Sequence, residues 1–483
     1  MIKLENVSFQ YGENEKNSLK NINLTIGSGE VVVLCGESGC GKTSIIRLIN
    51  GLIPFYYPGK LEGNIFIDDL DCRHADIYKI SEKVSSVFQN PRSQFFCVDV
   101  VSELAFGAEN RKIDPQIIKN RIEEVGTKLD IKKLYGRTMF ALSGGEKQKI
   151  ACGSVNITDN NIVVLDEPSS NLDLLAIEDL KKMIALWKTE GKTVVIAEHR
   201  LWYLKDLMDR ILFVKDGEIK KEYKKHDFLS LPAVAVSELG LRAINFDYET
   251  FGVKQWGDDV ISIRDFKYHY PNTKKVAVDV PDFNIPKGAV VAIVGKNGAG
   301  KSTFVRCLCG LERKVRGTVW NCGEKESRNK RLKKSYIIMQ DVNRQLFTES
   351  VRDEIILSMK EEDEAQVDKL LVDFDLQDLG ERHPVSLSGG QKQRVAVASA
   401  IASQREYIFF DEPTSGLDLK HMKQVADCIL GLQKLGKTVF LITHDLELIC
   451  QCCNFVIHIE DGKIKDNYRL DDSGGEKLSK IFK

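Results

Sequence analysis

The chain has 483 residues, of which 43% are hydrophobic and 29% are charged, as in ordinary globular proteins. This length exceeds what one hydrophobic core supports, so two to four domains are expected. The 69 Lys and Arg against 70 Asp and Glu give a net charge of −1, which argues against a whole-protein electrostatic attraction for nucleic acid and leaves a local basic patch as the alternative.

The chain begins directly in a strand-like alternation, without the apolar segment of a signal peptide. No apolar run approaches the roughly 20 residues that a membrane-spanning helix needs. We therefore expect that any role at a membrane depends on a partner. The twelve cysteines lack paired metal-ligand spacing, which favours reduced, packed thiols in a reducing cytosol.

The first strongly patterned stretch is the glycine-rich segment 36–43, which follows an apolar run at 31–34 and precedes a helical pattern. Its Gly-x4-Gly-Lys-Thr spacing predicts a phosphate-binding loop, because glycines let backbone N–H groups close around phosphate oxygens. In such a loop Lys42 reaches the β- and γ-phosphates of a nucleotide. The hydroxyl of Thr43 is expected to bind Mg²⁺.

Further polar residues follow strand-like runs downstream. Asp166 and Glu167 end the run 162–165, and His199 comes two residues after the run 193–197. Because open α/β sheets bind ligands at the carboxyl ends of their strands, this pattern places the chemistry there. We expect the aspartate to hold Mg²⁺ and the glutamate to orient and deprotonate the attacking water.

The second half of the chain repeats these features. The segment 295–302 is a second Gly-x4-Gly-Lys-Ser loop, and the spacing between equivalent residues is 259 positions at first and 245 later. A period this long indicates a duplicated domain. The equivalent pairs are Tyr11 and Tyr270, Gly36 and Gly295, Gln89 and Gln340, Ser143 and Ser388, Asp166 and Asp411, Glu167 and Glu412, and His199 and His444.

Within each half, short β-branched runs alternate with helical patterns, which predicts a largely parallel sheet covered on both faces. We divide the chain into a first domain at 1–230, a connector at 231–259 and a second domain at 260–483. The basic segment 325–334 is expected to be a solvated surface loop, with a phosphate contact as the alternative. The residues from Asp471 onward have the composition of a polar tail.

The segments 142–148 and 387–394, which begin Leu-Ser-Gly-Gly, identify a family: both halves resemble the nucleotide-binding domains of ATP-binding cassette (ABC) proteins. The resemblance implies an α/β fold with two P-loop NTPase domains, each a mostly parallel sheet with an antiparallel β subdomain and a helical subdomain. In this family two such domains face head to tail. Site one would then pair Lys42 with Ser388 and Gly390, and site two would pair Lys301 with Ser143 and Gly145.

The resemblance also assigns roles. Gln89 and Gln340 would contact Mg²⁺ or the attacking water, His199 and His444 would hold the γ-phosphate, and Tyr11 and Tyr270 would stack on adenine or, alternatively, be core aromatics. The expected catalytic residues are Glu167, His199, Glu412, His444, Gln89 and Gln340. The expected Mg²⁺ ligands are Thr43, Gln89, Asp166, Ser302, Gln340 and Asp411. The expected ATP-binding residues are Tyr11, Gly36, Glu37, Ser38, Gly39, Cys40, Gly41, Lys42, Thr43, Ser44, Ser143, Gly144, Gly145, Tyr270, Gly295, Lys296, Asn297, Gly298, Ala299, Gly300, Lys301, Ser302, Thr303, Ser388, Gly389 and Gly390.

Two segments of the first half favour one branch of the family. The Gln-Asn-Pro-x-x-Gln-Phe pattern at 89–95 and the Glu-x-Ala-Phe-Gly pattern at 103–107 resemble the ATPases of energy-coupling factor (ECF) transporters. This resemblance implies ATP hydrolysis that drives import of a vitamin or transition-metal ion. The partners would be an integral membrane coupling subunit and a substrate-binding membrane subunit, at the cytoplasmic face of the cell membrane, with no nucleic acid. The alternatives are a tandem ATPase of a sugar importer and a soluble tandem ATPase that acts on ribosomes.

Overall fold

The computed structural model describes residues 1–12, 18–170, 172–246, 259–271, 273, 276–339 and 342–482. The chain divides into two compact units, Met1–Asn245 and Phe246–Lys483. No helix within the described ranges combines the length and the apolar character that crossing a membrane requires.

The first unit contains two sheets. Its strands are β1 (Ile2–Tyr11), β2 (Leu19–Ile26), β3 (Val31–Cys35), β4 (Gly59–Ile67), β5 (Leu70–Asp71), β6 (Val84–Val87), β7 (Ile162–Asp166), β8 (Thr193–Ala197), β9 (Arg210–Lys215) and β10 (Glu218–Lys224). In its described part, one sheet has the antiparallel order β2-β1-β4-β5 and the other has the order β10-β9-β3-β8-β7-β6. The second sheet is parallel except for the β9–β10 pair.

The helices of the first unit cover the parallel sheet and form a separate helical layer. They are α1 (Lys42–Ile49), α2 (Leu52–Phe55), α3 (Ile77–Lys83), α4 (Val100–Asn110), α5 (Pro115–Lys128), α6 (Gly144–Thr158), α7 (Leu174–Thr189), α8 (Lys225–Leu229) and α9 (Ala233–Glu238). Short 3-10 helices lie at Pro91–Gln94, Lys132–Leu134, Met139–Ala141 and Trp202–Leu204. Apolar side chains of α4, α5 and α6 share one core cluster, which includes Leu104, Ile122 and Ile150.

The second unit repeats this architecture. Its strands are β11 (Val260–Tyr268), β12 (Val278–Pro286), β13 (Val290–Val294), β14 (Arg316–Asn321), β15 (Glu324–Glu326), β16 (Ser335–Ile338), β17 (Tyr407–Asp411), β18 (Thr438–Ile442), β19 (Phe455–Glu460) and β20 (Lys463–Arg469). Among the residues described, the antiparallel sheet has the order β12-β11-β14-β15 and the mixed sheet has the order β16-β17-β18-β13-β19-β20. In the mixed sheet the β19–β20 pair is antiparallel and the other pairs are parallel.

The helices of the second unit are α10 (Lys301–Cys309), α11 (Arg328–Lys334), α12 (Val351–Ser358), α13 (Glu364–Asp373), α14 (Gly389–Ala402), α15 (Leu419–Lys434), α16 (Leu446–Cys452) and α17 (Asp472–Phe482), with 3-10 helices at Val342–Arg344, Gln377–Leu379 and Pro384–Ser386. The predicted α/β fold class is confirmed: each unit has a largely parallel sheet, an antiparallel sheet and a helical layer. The central strands β3 and β13 are buried along their whole length, as expected for parallel strands covered on both faces.

Three segments differ from the sequence-based expectation. The basic segment 325–334 was expected to be a loop, but it forms β15 and α11, and Arg331 is buried while donating to the carbonyl oxygens of Leu308 and Glu326. The expected polar tail is wrong, because α17 buries Leu478 completely against the core of the second unit. Part of the expected connector, including Leu241 and Ile244, packs in the core of the first unit. The division into 1–230, 231–259 and 260–483 stays a prediction.

Candidate functional site

Each glycine-rich segment connects a buried strand to a helix. Gly36 follows β3 with φ +148°, and Gly41 precedes α1 with φ +112°. A Cβ on Gly36 would lie 2.1 Å from the carbonyl oxygen of Val214, so only glycine fits there. Gly295 is in the same position, with φ +143° and a Cβ that would lie 2.1 Å from the carbonyl oxygen of Ile459. Both loops therefore have the glycine-dependent backbone that a phosphate cradle requires.

The two loop lysines are buried at the start of their helices. Lys42 Nζ donates to the carbonyl oxygens of Gly36 and Glu37 at 2.9 and 2.8 Å. Lys301 Nζ donates to those of Gly295 and Lys296 at 2.6 and 3.0 Å. Each ammonium group thus lies inside its own loop, where the charge is available to a polyphosphate. The remaining loop residues Ser38, Gly39, Cys40, Asn297, Gly298, Ala299 and Gly300 complete the turns between strand and helix.

An aspartate lies next to the hydroxyl that follows each lysine. The hydroxyl group of Thr43 donates to Asp166 Oδ1 at 3.0 Å, and that of Ser302 donates to Asp411 Oδ2 at 2.9 Å. Burial, with the charge of Glu167, raises the pKa of Asp166 to about 6, and burial also raises the pKa of Asp411. A hydroxyl oxygen and a carboxylate oxygen are hard ligands, and Mg²⁺ binds such oxygen ligands in proteins. The residues present therefore fit this ion.

Glu167 is the centre of a polar group in the first unit. Gln89 Nε2 donates to Glu167 Oε2 at 2.7 Å, and His199 Nε2 lies 3.3 Å from Glu167 Oε1. The glutamate backbone is in the left-handed region, with φ +42°, which is a strained conformation for a residue with a side chain. The structure thus brings Gln89, Glu167 and His199 together at the carboxyl ends of β6, β7 and β8.

The second unit has the equivalent arrangement around Glu412. This residue also has a positive φ, +52°, and His444 Nε2 lies 3.6 Å from Glu412 Oε1. His444 Nε2 is also 3.1 Å from Lys301 Nζ, so the histidine bridges the loop and the glutamate. Gln340, the last of the six predicted catalytic residues, lies outside the described residues.

The Leu-Ser-Gly-Gly segments form helix N-termini. Ser143 caps α6, and its backbone N–H donates to Glu146 Oε2 at 2.8 Å while its hydroxyl accepts from Glu146 N at 3.3 Å. Ser388 and Gln391 form the same capping box on α14 at 2.8 and 3.4 Å. The glycines Gly144, Gly145, Gly389 and Gly390 occupy the first helical turns. These N-termini present backbone N–H groups and a hydroxyl, which suit a phosphate.

The two tyrosines lie against the phosphate-loop helices. The hydroxyl group of Tyr11 is 3.0 Å from Ser44 Oγ, and that of Tyr270 is 2.9 Å from Thr303 Oγ1. The ring of Tyr11 is half-buried, and the side chain of Tyr270 is 38% exposed. Each ring therefore lies beside its own glycine-rich loop, and its stacking on adenine stays a prediction.

Two buried carboxylates near the histidines were not identified from the sequence. Glu198 Oε1 accepts from the backbone N–H groups of His199 and Arg200 at 2.7 and 3.1 Å, and its Oε2 accepts from the hydroxyl of Tyr203 at 2.9 Å and from Ser169 N at 3.3 Å. In the second unit Asp445 Oδ2 accepts from Thr414 Oγ1 at 2.6 Å.

Each of these carboxylates connects the turn that carries the histidine to the loop that follows Glu167 or Glu412. The acid precedes the histidine in one unit and follows it in the other. An alignment of the two halves therefore does not pair these two carboxylates. The sequence signal that could have found them is an acidic residue next to each histidine.

Comparison with known proteins agrees with this geometry. The family model for the ABC transporter matches residues 19–170 and 278–415. A Treponema denticola protein named as an ABC transporter ATP-binding protein is 44% identical over 472 residues, which cover 96% of this chain and 96% of that protein. A second such protein of the same organism is 37% identical over 491 residues, with 100% of this chain and 99% of that protein covered.

A solved structure has a similar fold over the same length. The RNase-L Inhibitor matches 99% of this chain and 93% of its own with a TM-score of 0.69, at 21% sequence identity. This likeness supports the fold only. Because the family model covers more than half of the chain, and the Treponema denticola relative nearly all of it, the chain belongs to the ABC transporter family as a tandem ATPase with two ATP-binding cassettes.

Proposed function

We propose that this chain is the ATP-hydrolysing subunit of an ECF-type importer, in which it drives an integral membrane coupling subunit and a substrate-binding membrane subunit. The transported solute would be a vitamin or a transition-metal ion. The observation that carries the hydrolytic part is that both units place a lysine, a hydroxyl, an aspartate, a glutamate and a histidine around one glycine-rich loop. Neither unit lacks a member of this set within the described residues.

The proposed roles follow from the contacts. Lys42 exchanges its carbonyl contacts for the β- and γ-phosphates of ATP, and Thr43 and Asp166 hold Mg²⁺. When bound, the ion would neutralise phosphate charge. Glu167 accepts the proton of the attacking water, and the carboxylate is already oriented by Gln89 and His199. In the second unit Lys301, Ser302, Asp411, Glu412 and His444 take the same roles.

We propose that each ATP is completed by the other cassette. Lys42 would act with Ser388 and Gly390, and Lys301 with Ser143 and Gly145. Each charge-assisted hydrogen bond from a signature segment contributes roughly 1.5–3 kcal/mol. Two or three such bonds approach the roughly 5.5 kcal/mol that shifts a two-state equilibrium from 1:99 to 99:1. Loss of the γ-phosphate removes these bonds, so hydrolysis would reopen the pair of cassettes.

The coupling part of the proposal is supported by an exposed aromatic side chain in each unit. Phe96 is 75% exposed, although its ring stacks on Phe106 at 5.1 Å. It is held outward because the buried Glu103 Oε2 accepts from the backbone N–H groups of Phe96 and Cys97 at 2.9 and 2.7 Å. Exposed aromatics on a rigid base are typical of protein–protein contacts.

The second unit has the same construction. Phe347 is 73% exposed, and the buried Glu354 Oε2 accepts from the N–H groups of Phe347 and Thr348 at 3.0 and 3.1 Å. Both aromatic side chains lie in the segments after Gln89 and Gln340, and the family resemblance implies that these segments contact the membrane partner. We therefore propose that Phe96 and Phe347 contact the coupling subunit.

Affinity purification from detergent-solubilised membranes tests this part of the proposal. The tagged wild-type chain is expected to bring down an integral membrane subunit, which mass spectrometry identifies. The F96S/F347S variant is expected to lose it, whereas Leu435→Ser, which changes a side chain that is 69% exposed, is expected to keep it. Recovery of ribosomes without a membrane subunit would overturn the proposal in favour of the soluble tandem ATPases. A sugar-import system among the recovered proteins would favour the other importer class.

A further inference from the structure

The adenine-side tyrosine of the first unit belongs to an aromatic and cationic group. Tyr11 OH accepts from Arg47 Nη1 at 3.1 Å in addition to its contact with Ser44. The guanidinium carbon of Arg47 lies 3.9 Å from the ring centroid of Tyr57. Tyr57 in turn meets the ring of Tyr11 edge to face at 6.2 Å. Arg47 is therefore held between two tyrosines, and it fixes the ring of Tyr11.

The equivalent arginine of the second unit has a different partner. Arg306 Nη2 lies 2.8 Å from Glu312 Oε1, and the other oxygen of Glu312 accepts from the hydroxyl of Tyr268 at 2.8 Å. Tyr270 OH contacts Thr303 on the phosphate-loop helix. The arginine charge is thus neutralised by a carboxylate, and the described hydrogen bonds do not link Arg306 to Tyr270.

Sequence differences explain this divergence. Phe9 stands at the position equivalent to Tyr268, so the first unit lacks the hydroxyl that helps to hold Glu312. After α1, eleven residues separate Gly51 from Gly63, whereas six separate the equivalent Gly310 from Gly317. Tyr57 lies in the longer segment. Ile53 of the first unit is as far from the start of the phosphate-loop helix as Glu312 is in the second unit, so the first unit has no carboxylate at that position. These three sequence differences all favour contact of Arg47 with the tyrosines over contact with a carboxylate.

The two arginines also differ in the charge next to them. The guanidinium group of Arg47 lies on the ring of Tyr57, whereas that of Arg306 lies 2.8 Å from the carboxylate of Glu312. An aromatic ring carries no net charge, so it does not offset the field of a cation, whereas a paired carboxylate does. The charge of Arg306 is therefore offset by Glu312, whereas the described ion pairs include none of Arg47.

We propose that Arg47 and Tyr57 are positioning residues that make the first nucleotide site bind ATP more tightly than the second. They fix the ring of Tyr11 before the base arrives, so less conformational freedom is lost on binding. Arg47 also adds a positive charge that none of the described ion pairs offsets. This inference rests on the proposed ATP sites and adds that they are unequal, with the asymmetry at the base-binding end instead of among the catalytic residues.

Photolabelling with azido-ATP measures the two sites separately in the full-length chain. The reagent is titrated with Mg²⁺ in the cold, the chain is irradiated and digested, and mass spectrometry quantifies labelled peptides from each half. The half-saturating concentration of the first half is expected to be about three- to tenfold lower than that of the second. Added salt is expected to narrow this difference, because it screens the charge of Arg47.

Tyr57→Leu and Arg47→Gln are each expected to raise the half-saturating concentration of the first half alone. Only in the Arg47→Gln chain should added salt no longer change the difference between the half-saturating concentrations of the two halves. Tyr78→Leu is the matched control, because this tyrosine is exposed in the same unit and pairs with Lys79 instead. Circular dichroism checks folding, and if Tyr57→Leu fails to fold, Arg47→Gln and the salt series carry the test.

The outcomes separate this inference from the proposed function. Equal half-saturating concentrations in the wild-type chain, or an equal shift of both halves in the variants, would overturn the asymmetry and leave the ATPase intact. No saturable labelling in either half would overturn the ATP sites themselves.

Discussion

Asp166 is a predicted Mg²⁺ ligand whose burial lowers the stability of the folded chain. It ends the buried strand β7, and burial raises its pKa from an ordinary 3.8 to about 6. Because the neutral form is favoured in the folded state, its stabilising contribution is complete below pH 3.8 and is lost as the pH rises through about 6. At neutral pH, without a metal ion, the folded chain therefore holds an unfavourable buried charge.

Asp166→Asn is expected to stabilise the metal-free chain at pH 8, by up to about 3 kcal/mol, and to change little at pH 4. The amide oxygen can still accept from Thr43, so the contact is kept while the charge is removed. Thermal unfolding in EDTA at the two pH values measures this. The exposed Asp69→Asn should show no such gain, and a loss of stability for Asp166→Asn at pH 8 would contradict the account.

Glu198 is the second residue whose role depends on its surroundings. Its two oxygens accept four hydrogen bonds, from His199 N, Arg200 N, Tyr203 OH and Ser169 N. Glu198→Gln replaces one accepting oxygen with a donor, which then faces donors. With site two inactivated by Glu412→Gln, we expect turnover to fall about 10- to 100-fold while ATP affinity changes less than about threefold.

Steady-state hydrolysis and equilibrium ATP binding separate these two effects of Glu198→Gln. Asp445→Asn, tested with site one inactivated by Glu167→Gln, is the matched variant of the second unit and should behave alike. Equal losses of binding and turnover would show that the carboxylate supports the fold of the site and does not position His199.

The glycine-rich loop is the element on which the site depends, and its glycines are not equivalent. A Cβ on Gly36 would meet the carbonyl oxygen of Val214 at 2.1 Å, whereas a Cβ on Gly39 would meet nothing within 4 Å. Both have positive φ. Gly36 is therefore required by the close approach of β9, and Gly39 is required only by its backbone angle.

Gly36→Ala is expected to lower stability by at least about 2 kcal/mol, because the loop or the strand must move. Gly39→Ala should cost only about 1 kcal/mol, the strain of a left-handed alanine. Chemical denaturation of the two variants side by side measures the difference. Equal losses would mean that the contact between the loop and β9 is absent in solution.

The sequence predicted the strands that precede the candidate site residues. The apolar runs before Gly36 and Asp166 form β3 and β7, because fully buried parallel strands are uniformly apolar. The sequence-based prediction was wrong for α17, because the polar residues around Leu478 obscured the pattern of an amphipathic helix. It also missed Tyr57, since contacts between a loop and a distant tyrosine follow from the fold and leave no periodic signal.

The whole molecule is a duplication in which the predicted catalytic residues stayed alike and the residues that hydrogen-bond around them diverged. Glu167 and Glu412 share a strained backbone and a neighbouring histidine. Their supporting carboxylates, Glu198 and Asp445, occupy different sequence positions. The sequence predicted the shared groups because they repeat at a fixed spacing. It could not predict the supports, because each unit satisfied the same hydrogen-bonding need with a different residue.

The proposal that each ATP is completed by the opposite cassette has the most direct test in one assay. In a Glu412→Gln chain, only the site of Lys42 and Glu167 is expected to hydrolyse ATP. Adding Ser388→Arg should abolish the remaining hydrolysis, because under this proposal the bulky charged side chain would replace the serine that meets the phosphates of this site. Adding Ser143→Arg should leave most of it. Steady-state phosphate release measures both: loss with Ser388→Arg supports the account, and loss with Ser143→Arg alone would contradict it.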